Sequence, residues 1–226
     1  MSTPAPFAGR VFNLSMPRNG LASFARFCRD IGLPTALSAP TRDHRWTAAW
    51  LEGDVDSIFA SPGFAHARAF AGSPWWLPEF YKIAFHKVPG ARFVLLTREP
   101  GAWFGSMLGG GGGYASGDNR VHAKAFRREL EFLRAVHAGE VDDRHDERGR
   151  RLPLAGLAEH YRETYRLHNS EVMEFFGRHA PGALHWGELE DRRLWPRLAR
   201  FLGAEVPIGY HCHVNARVVP IARTGT

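Results

Sequence analysis

Arg18, Gly20 and Ser23 lie close together in MPRNGLAS, residues 16–23, and between them carry the parts of an anion site. Gly20 lets a backbone approach a ligand closely, and a helix starting just after it aims unpaired N–H groups outward. Those amides and the helix dipole favour negative charge. Arg18 adds a guanidinium whose fork fits phosphate or sulfate, and Ser23 adds a hydroxyl donor. A second segment, TREPGAWFGS at 97–106, offers Arg98 and Ser106. A helix entered through Pro100 carries Ser106 about two turns on, near the same rim. Each half alone is commonplace, since one-glycine turns abound and an arginine at a strand end often forms a surface ion pair. The phosphate-loop pattern G-x-x-x-x-G-K-S/T is absent, so Mg²⁺ and the β/γ-phosphates of a nucleoside triphosphate lose their usual ligands. That weighs against a kinase or nucleoside triphosphatase.

The elements that must position these residues are legible in the pattern. Val11 to Ser15 reads as a buried strand, and LASFARFCRDIGL as a helix with Phe24, Phe27, Cys28 and Ile31 on one face. Residues 35–66 are harder to read, apart from a short helix around Trp46 to Leu51. ARAFAG, 67–72, reads as a second short strand, and LPEFYKIAFHKV as a helix. ARFVLLT, 91–97, is a continuous apolar run of the kind buried parallel strands show. The spacing then predicts a helix from Pro100, broken by the glycines at 109–113 into a flexible loop or lid. A single helix is expected over 119–137, with Phe126, Leu130, Leu133 and Val136 or His137 inward. A charged loop follows at 139–151, where the acids around His145 are too irregular for a metal site. The longest helix is expected at 155–179, a short strand at 183–186 and a helix at 191–203. Strands alternating with helices predict an α/β fold: one domain over 1–226, with a parallel sheet flanked by helices. Ligands of such sheets sit outside the carboxyl ends of the strands.

Composition narrows the class. At 44% hydrophobic and 12% aromatic the 226 residues can bury a sizeable core, with no run long enough to span a membrane. The first residues, MSTPAPFAGR, do not read as a signal peptide, and Cys28 and Cys212 are too few for a disulfide scaffold, so the cytoplasm is expected. The formal charge of +6 suits an anionic ligand. The arginines are interspersed with acids rather than gathered in a run, which gives no support to a nucleic-acid surface. Membrane partners are not expected either, and a homodimer is compatible with the composition.

Beyond these parts, the chain resembles the sulfotransferases that use 3′-phosphoadenosine 5′-phosphosulfate (PAPS), in particular their compact bacterial and invertebrate branch with a P-loop-like sulfotransferase fold. That branch carries a strand, a P-R-S/T-G-T-T-S loop, a Pro-Gly turn, a strand of the type K-F-I-L-T-x-R-D/E-P, and then a Trp and a Ser. Here the later stretch is PGARFVLLTREPGAWFGS. The branch's H-N-x-x-V-x-x-F/Y-F helix appears as HNSEVMEFF, 168–176, and its closing motifs as FLGAEVP, 201–207, and HVN, 213–215. The likeness spans about 10–217 and is poor over 35–70. It implies PAPS as co-substrate, no metal, and a small-molecule hydroxyl or amine acceptor. It implies that Arg18, Asn19, Gly20, Leu21, Ala22 and Ser23 hold the 5′-phosphosulfate end. Arg98 and Ser106 then hold the 3′-phosphate, with Arg217 a further candidate.

Sulfuryl transfer needs in-line placement and stabilisation of charge on the leaving phosphate oxygen, a role that falls to Arg18. It also needs a base for the acceptor proton. Two departures stand out. Asn19-Gly20-Leu21-Ala22 replaces a hydroxyl-rich loop, and each lost hydroxyl contact is worth roughly 1 kcal/mol. Gly72 stands where the branch often has an acid, so the base is open among His213, favoured by its HVN motif, His66 and Glu79. His168 reads as support for its helix face. Trp46, Trp50, Trp75, Trp76 and Phe104 could line an acceptor pocket or fill the core. A relative that keeps the anion site but has lost turnover is the alternative reading.

Overall fold

The computed structural model describes residues 7–36, 45–115, 117–143 and 150–214. In chain order the elements are β1 (Val11–Asn13), α1 (Leu21–Asp30), β2 (Thr35–Ala36), α2 (Trp46–Glu52), α3 (Val55–Ala60), α4 (Pro62–His66) and β3 (Ala69–Phe70). Then come α5 (Phe80–Lys87), β4 (Arg92–Thr97), α6 (Pro100–Gly111), α7 (Asn119–Ala125), α8 (Glu129–His137), α9 (Ala158–His179), β5 (Leu184–Glu188) and α10 (Leu194–Phe201).

The strands form one parallel sheet in the order β2-β3-β1-β4-β5. Alternation along the strands splits the core in two. Phe12, Phe70, Phe93 and Leu95 face one layer with Tyr161, Tyr165, Val172 and Phe176 of α9. Val11, Ala69, Val94 and Leu96 face the other, with Phe24, Phe27 and Cys28 of α1 and Leu194, Trp195 and Leu198 of α10. The chain leaves β1 towards β2 on one side of the sheet centre and leaves β4 towards β5 on the other. Neighbouring strands with opposed crossovers open a crevice at their carboxyl ends. This crevice lies between the exits of β1 and β4.

Several expectations need correction. Thr35–Ala36 is a strand that a two-residue length hides, so ARFVLLT is the fourth strand rather than the third. The 119–137 helix is two helices. Arg127 takes a positive φ of 56°, and Arg128 turns into the core, where it binds Glu131, the Pro153 carbonyl and the Tyr161 hydroxyl. That break rotates α8, burying Phe132 and leaving Leu130 and Leu133 exposed. The glycines do not break α6 at once, for the helix runs to Gly111 and ends at Gly112, with φ 61°. The segment after it is tied to 152–154 through Ala115 N–H to the Leu152 carbonyl and Leu154 N–H to the Gly113 carbonyl. Trp46, Trp50, Trp75, Trp76 and Phe104 are all buried in the core cluster.

Phe12 stacks on Phe70 at 5.0 Å and on Phe93 at 5.5 Å, and touches Trp75 and Phe64. Phe12→Ala leaves a cavity at the sheet centre and should cost about 3–5 kcal/mol, read as a lower midpoint in urea unfolding. An unchanged midpoint would remove Phe12 from the core.

Candidate functional site

Side chains take over where the β1–β4 ladder ends. The Asn13 Oδ1 accepts from Ser15 N–H at 2.8 Å, and the Ser15 Oγ accepts from Leu96 N–H at 2.7 Å. The Leu14 carbonyl accepts from His168 Nε2–H at 2.9 Å, which fixes that tautomer and gives His168 a supporting role. The chain then turns sharply. Arg18 and Gly20 both adopt positive φ, 73° and 70°. For arginine this conformation carries strain, held by the surrounding contacts. Gly20 also accommodates Leu189, whose Cδ1 would lie 2.6 Å from any Cβ there.

Gly20 opens α1, whose start has no side-chain cap and no acid in its first turn. The start of α6 differs: Glu99 accepts from Gly101 N–H at 2.8 Å and from Ala102 N–H at 2.7 Å. Those two bonds hold the Glu99 carboxyl below its usual range. Leu21 and Ala22 are half-buried at the open start, with their amides in the first turn.

Arg18 is exposed, and its Nε donates to Ser106 Oγ at 3.4 Å. A Cβ on Gly110 would overlap the Arg18 guanidinium, so the bare glycine one turn beyond Ser106 is what lets it lie against α6. Arg98 leaves β4 beside it. Its Nη1 donates to the Arg18 carbonyl at 3.5 Å, while Nε and Nη2 donate to Glu190 Oε1 at 3.1 and 3.0 Å. Arg18, Arg98 and Ser106 are thus brought to one rim, with Gly20, Leu21 and Ala22 on the loop that forms it.

Two other expected residues are placed differently. Asn19 is fully buried: its Oδ1 accepts from the Tyr165 hydroxyl at 3.3 Å, and its N–H donates to the Met16 carbonyl at 3.3 Å. Ser23 is 2% exposed, and its Oγ accepts from Val214 N–H at 2.9 Å. His213, next to Val214, is exposed and lies tilted against His211 with ring centroids 5.8 Å apart, flanking the first turn of α1. Arg217 lies outside the described residues.

The remaining base candidates separate clearly. His66 ends α4 just before β3 begins, at the sheet edge opposite the rim, and its Nδ1 donates to the Pro62 carbonyl at 2.6 Å. It is therefore out of place for chemistry at Arg18. Glu79 is exposed and pairs with Lys82 at 2.6 Å. Gly72, with φ 87°, has open space where a side chain would begin.

Sequence reasoning missed Tyr165, Trp103 and Glu190. The Trp103 Nε1–H donates to the Pro17 carbonyl at 2.9 Å, and the Trp103 ring stacks on Tyr165 at 4.3 Å. Tyr165 falls in the helix expected at 155–179, and periodicity says nothing about where a hydroxyl points. Glu190 follows β5 and carries no motif of its own.

A sequence profile of the sulfotransferase domain family matches residues 10–218. The chain belongs to the sulfotransferase family. Among solved structures, a sulfotransferase domain from the curacin biosynthetic pathway is similar, with 13% identity and a TM-score of 0.48. The match covers 89% of this chain and 76% of that one. No curated protein matches the chain. As a sulfotransferase it is a transferase with a parallel α/β architecture, and no helix among the described residues is long and apolar enough to cross a membrane.

Three histidines of this sulfotransferase are held neutral by burial. Burial and nearby Arg128 push His122 down to about 3, and burial and Arg197 push His185 down to about 4. Burial also lowers His168. The Tyr161 hydroxyl accepts from Arg128 at 2.7 Å and shares a hydrogen bond with His122 Nε2 at 2.6 Å. Unfolded histidines take up protons near pH 6.5, while these do not. Their stabilisation is therefore complete above about pH 6.5 and is lost as pH falls towards the folded values. Urea unfolding should show stability declining already between about pH 6.5 and about pH 5, before most carboxylates titrate. A flat profile over that window would contradict it.

Proposed function

We propose that this sulfotransferase moves a sulfuryl group from PAPS to a hydroxyl or amine of a small-molecule acceptor. The observation that carries the reading is the meeting of Arg18, Ser106 and Arg98 at one rim, beside an uncapped helix start. In this reading Arg18 and the amides of Gly20, Leu21, Ala22 and Ser23 hold the 5′-phosphosulfate. Arg98 and Ser106 hold the 3′-phosphate. Asn19 is buried, with its side chain on Tyr165 and its N–H on the Met16 carbonyl, so its part is to shape the loop rather than to touch the donor.

The acceptor oxygen or nitrogen attacks sulfur, and a new O–S or N–S bond forms as the bond from sulfur to the bridging oxygen breaks. The electron pair stays on that oxygen, giving adenosine 3′,5′-bisphosphate, and the Arg18 guanidinium stabilises the charge. The acceptor's proton passes to a base, for which His213 is the candidate that flanks α1. No step calls for a metal. The cytoplasm is the compartment this reading favours, with no nucleic-acid or membrane partner and with a homodimer left compatible.

A second reading, a binding protein without turnover, is favoured by Gly72 at the position of the family's acid and by the engagement of the Ser23 hydroxyl with Val214. Incubation with PAPS and a panel of phenols, alcohols and amines decides between them. Turnover is expected, and Arg18→Ala should lower it about 100-fold or more. Tight binding of adenosine 3′,5′-bisphosphate without turnover would establish the second reading. No binding of that nucleotide would sink both.

A further inference from the structure

One oxygen atom touches both halves of the rim. The Tyr165 hydroxyl, on α9, accepts from Arg98 N–H at 3.0 Å. It lies 3.3 Å from Asn19 Oδ1 and 3.2 Å from the Arg98 carbonyl, two acceptors for its single proton. Asn19 sits between Arg18 and Gly20 in the first loop, and Arg98 is the first residue beyond β4. These two positions are 79 residues apart in sequence, by subtraction of their numbers, and outside the sheet the hydroxyl is their common partner. Tyr165 is itself held. It is 1% exposed and stacks on Trp103, whose indole N–H fixes Pro17 at the start of the same loop. A rigid aromatic pair thus grips the loop at Pro17 and Asn19 and the strand exit at Arg98.

We propose that Tyr165 is a positioning residue that sets the separation of the two arginine arms, and so the protein's preference for a nucleotide bearing phosphate at both its 3′ and 5′ positions. The inference rests on the donor reading above. A ligand anchored at both ends needs both arms at a fixed spacing, because misplacement by even an ångström weakens simultaneous contact. A ligand anchored at one end needs only one arm. Loss of the hydroxyl frees the Arg98 amide and the Asn19 carboxamide from each other while leaving the ring, its stacking and the helix in place. Asn19 Nδ2 is buried with no partner, so the carboxamide depends on this one bond for its orientation. The departure from the hydroxyl-rich loop of the family therefore has a positive use: the longer amide side chain reaches inward to the tyrosine.

The test is calorimetric titration of the whole protein with adenosine 3′,5′-bisphosphate and with adenosine 5′-monophosphate. Wild type should prefer the bisphosphate. Tyr165→Phe should cut bisphosphate affinity about tenfold, the scale of one hydrogen bond to a structured site, while 5′-monophosphate affinity stays within about twofold. Asn19→Ala removes the other side of the same contact and should give the same selective loss, which keeps the test usable if Tyr165→Phe does not fold. An equal loss for both nucleotides would make Tyr165 a merely structural residue and overturn the proposal, as would no loss. Wild type binding neither nucleotide would instead overturn the donor reading, and this inference with it.

Discussion

Everything at the rim depends on β1 lying hydrogen-bonded beside β4. Their parallel register, Val11 with Arg92 through Asn13 with Val94, puts the two strand exits side by side. The side-chain bond from Ser15 to Leu96 carries the pairing one step past the regular ladder. Because the crossovers from these strands go opposite ways, a crevice opens between their ends. Two arginines distant in sequence become neighbours in this way. Their mutual repulsion is tempered by Glu190 on Arg98 and by the carbonyl of Arg18 itself.

Beneath the loop lies an unusual amount of buried polarity: Asn13, Ser15, Asn19, His168 and Asn169, none more than 8% exposed. Burying such groups is costly unless each finds a partner. Most do, through Leu14, Leu96 and Tyr165, yet Asn13 Nδ2, Asn19 Nδ2 and Asn169 Oδ1 have no partner. Arg18 adds a strained backbone. A fold selected for stability alone would replace these groups with apolar ones, whereas a rigid platform for charged ligands needs fixed dipoles. The dense aromatic layer under Phe12, Phe70, Trp75 and Phe93 offsets part of that cost from below.

The C-terminal stretch closes the other side of α1. The Tyr210 hydroxyl donates to Asp30 at the helix end, and the Cys212 thiol and Val214 amide bond to Ser23 near its start. His213 and Val214 of the HVN motif are therefore placed along the helix whose open end forms the rim. This geometry keeps His213 within the neighbourhood of the loop, whereas the sheet carries His66 to the far edge.

The sequence by itself determined the class of the fold and picked out the two segments that the strand exits bring together. Buried parallel strands announce themselves as apolar runs, and turns and helix starts by Gly20 and Pro100, because those signals are local. ARFVLLT, MPRNGLAS and TREPGAWFGS were legible for that reason, and the motifs of the family ran along the same chain. Only the tertiary structure decided what depends on contacts between distant residues. Thr35–Ala36 is a strand because β3 accepts it, not because two residues prefer that state. The 119–137 period runs unbroken in sequence, but Arg128 finds Pro153 and Tyr161 inward and breaks the helix to reach them. Asn19 reads as a loop side chain for a ligand and is instead drawn to Tyr165. An arginine's charge can be read from its letter, but the partner that orients it is chosen by the packing of elements far away in the chain.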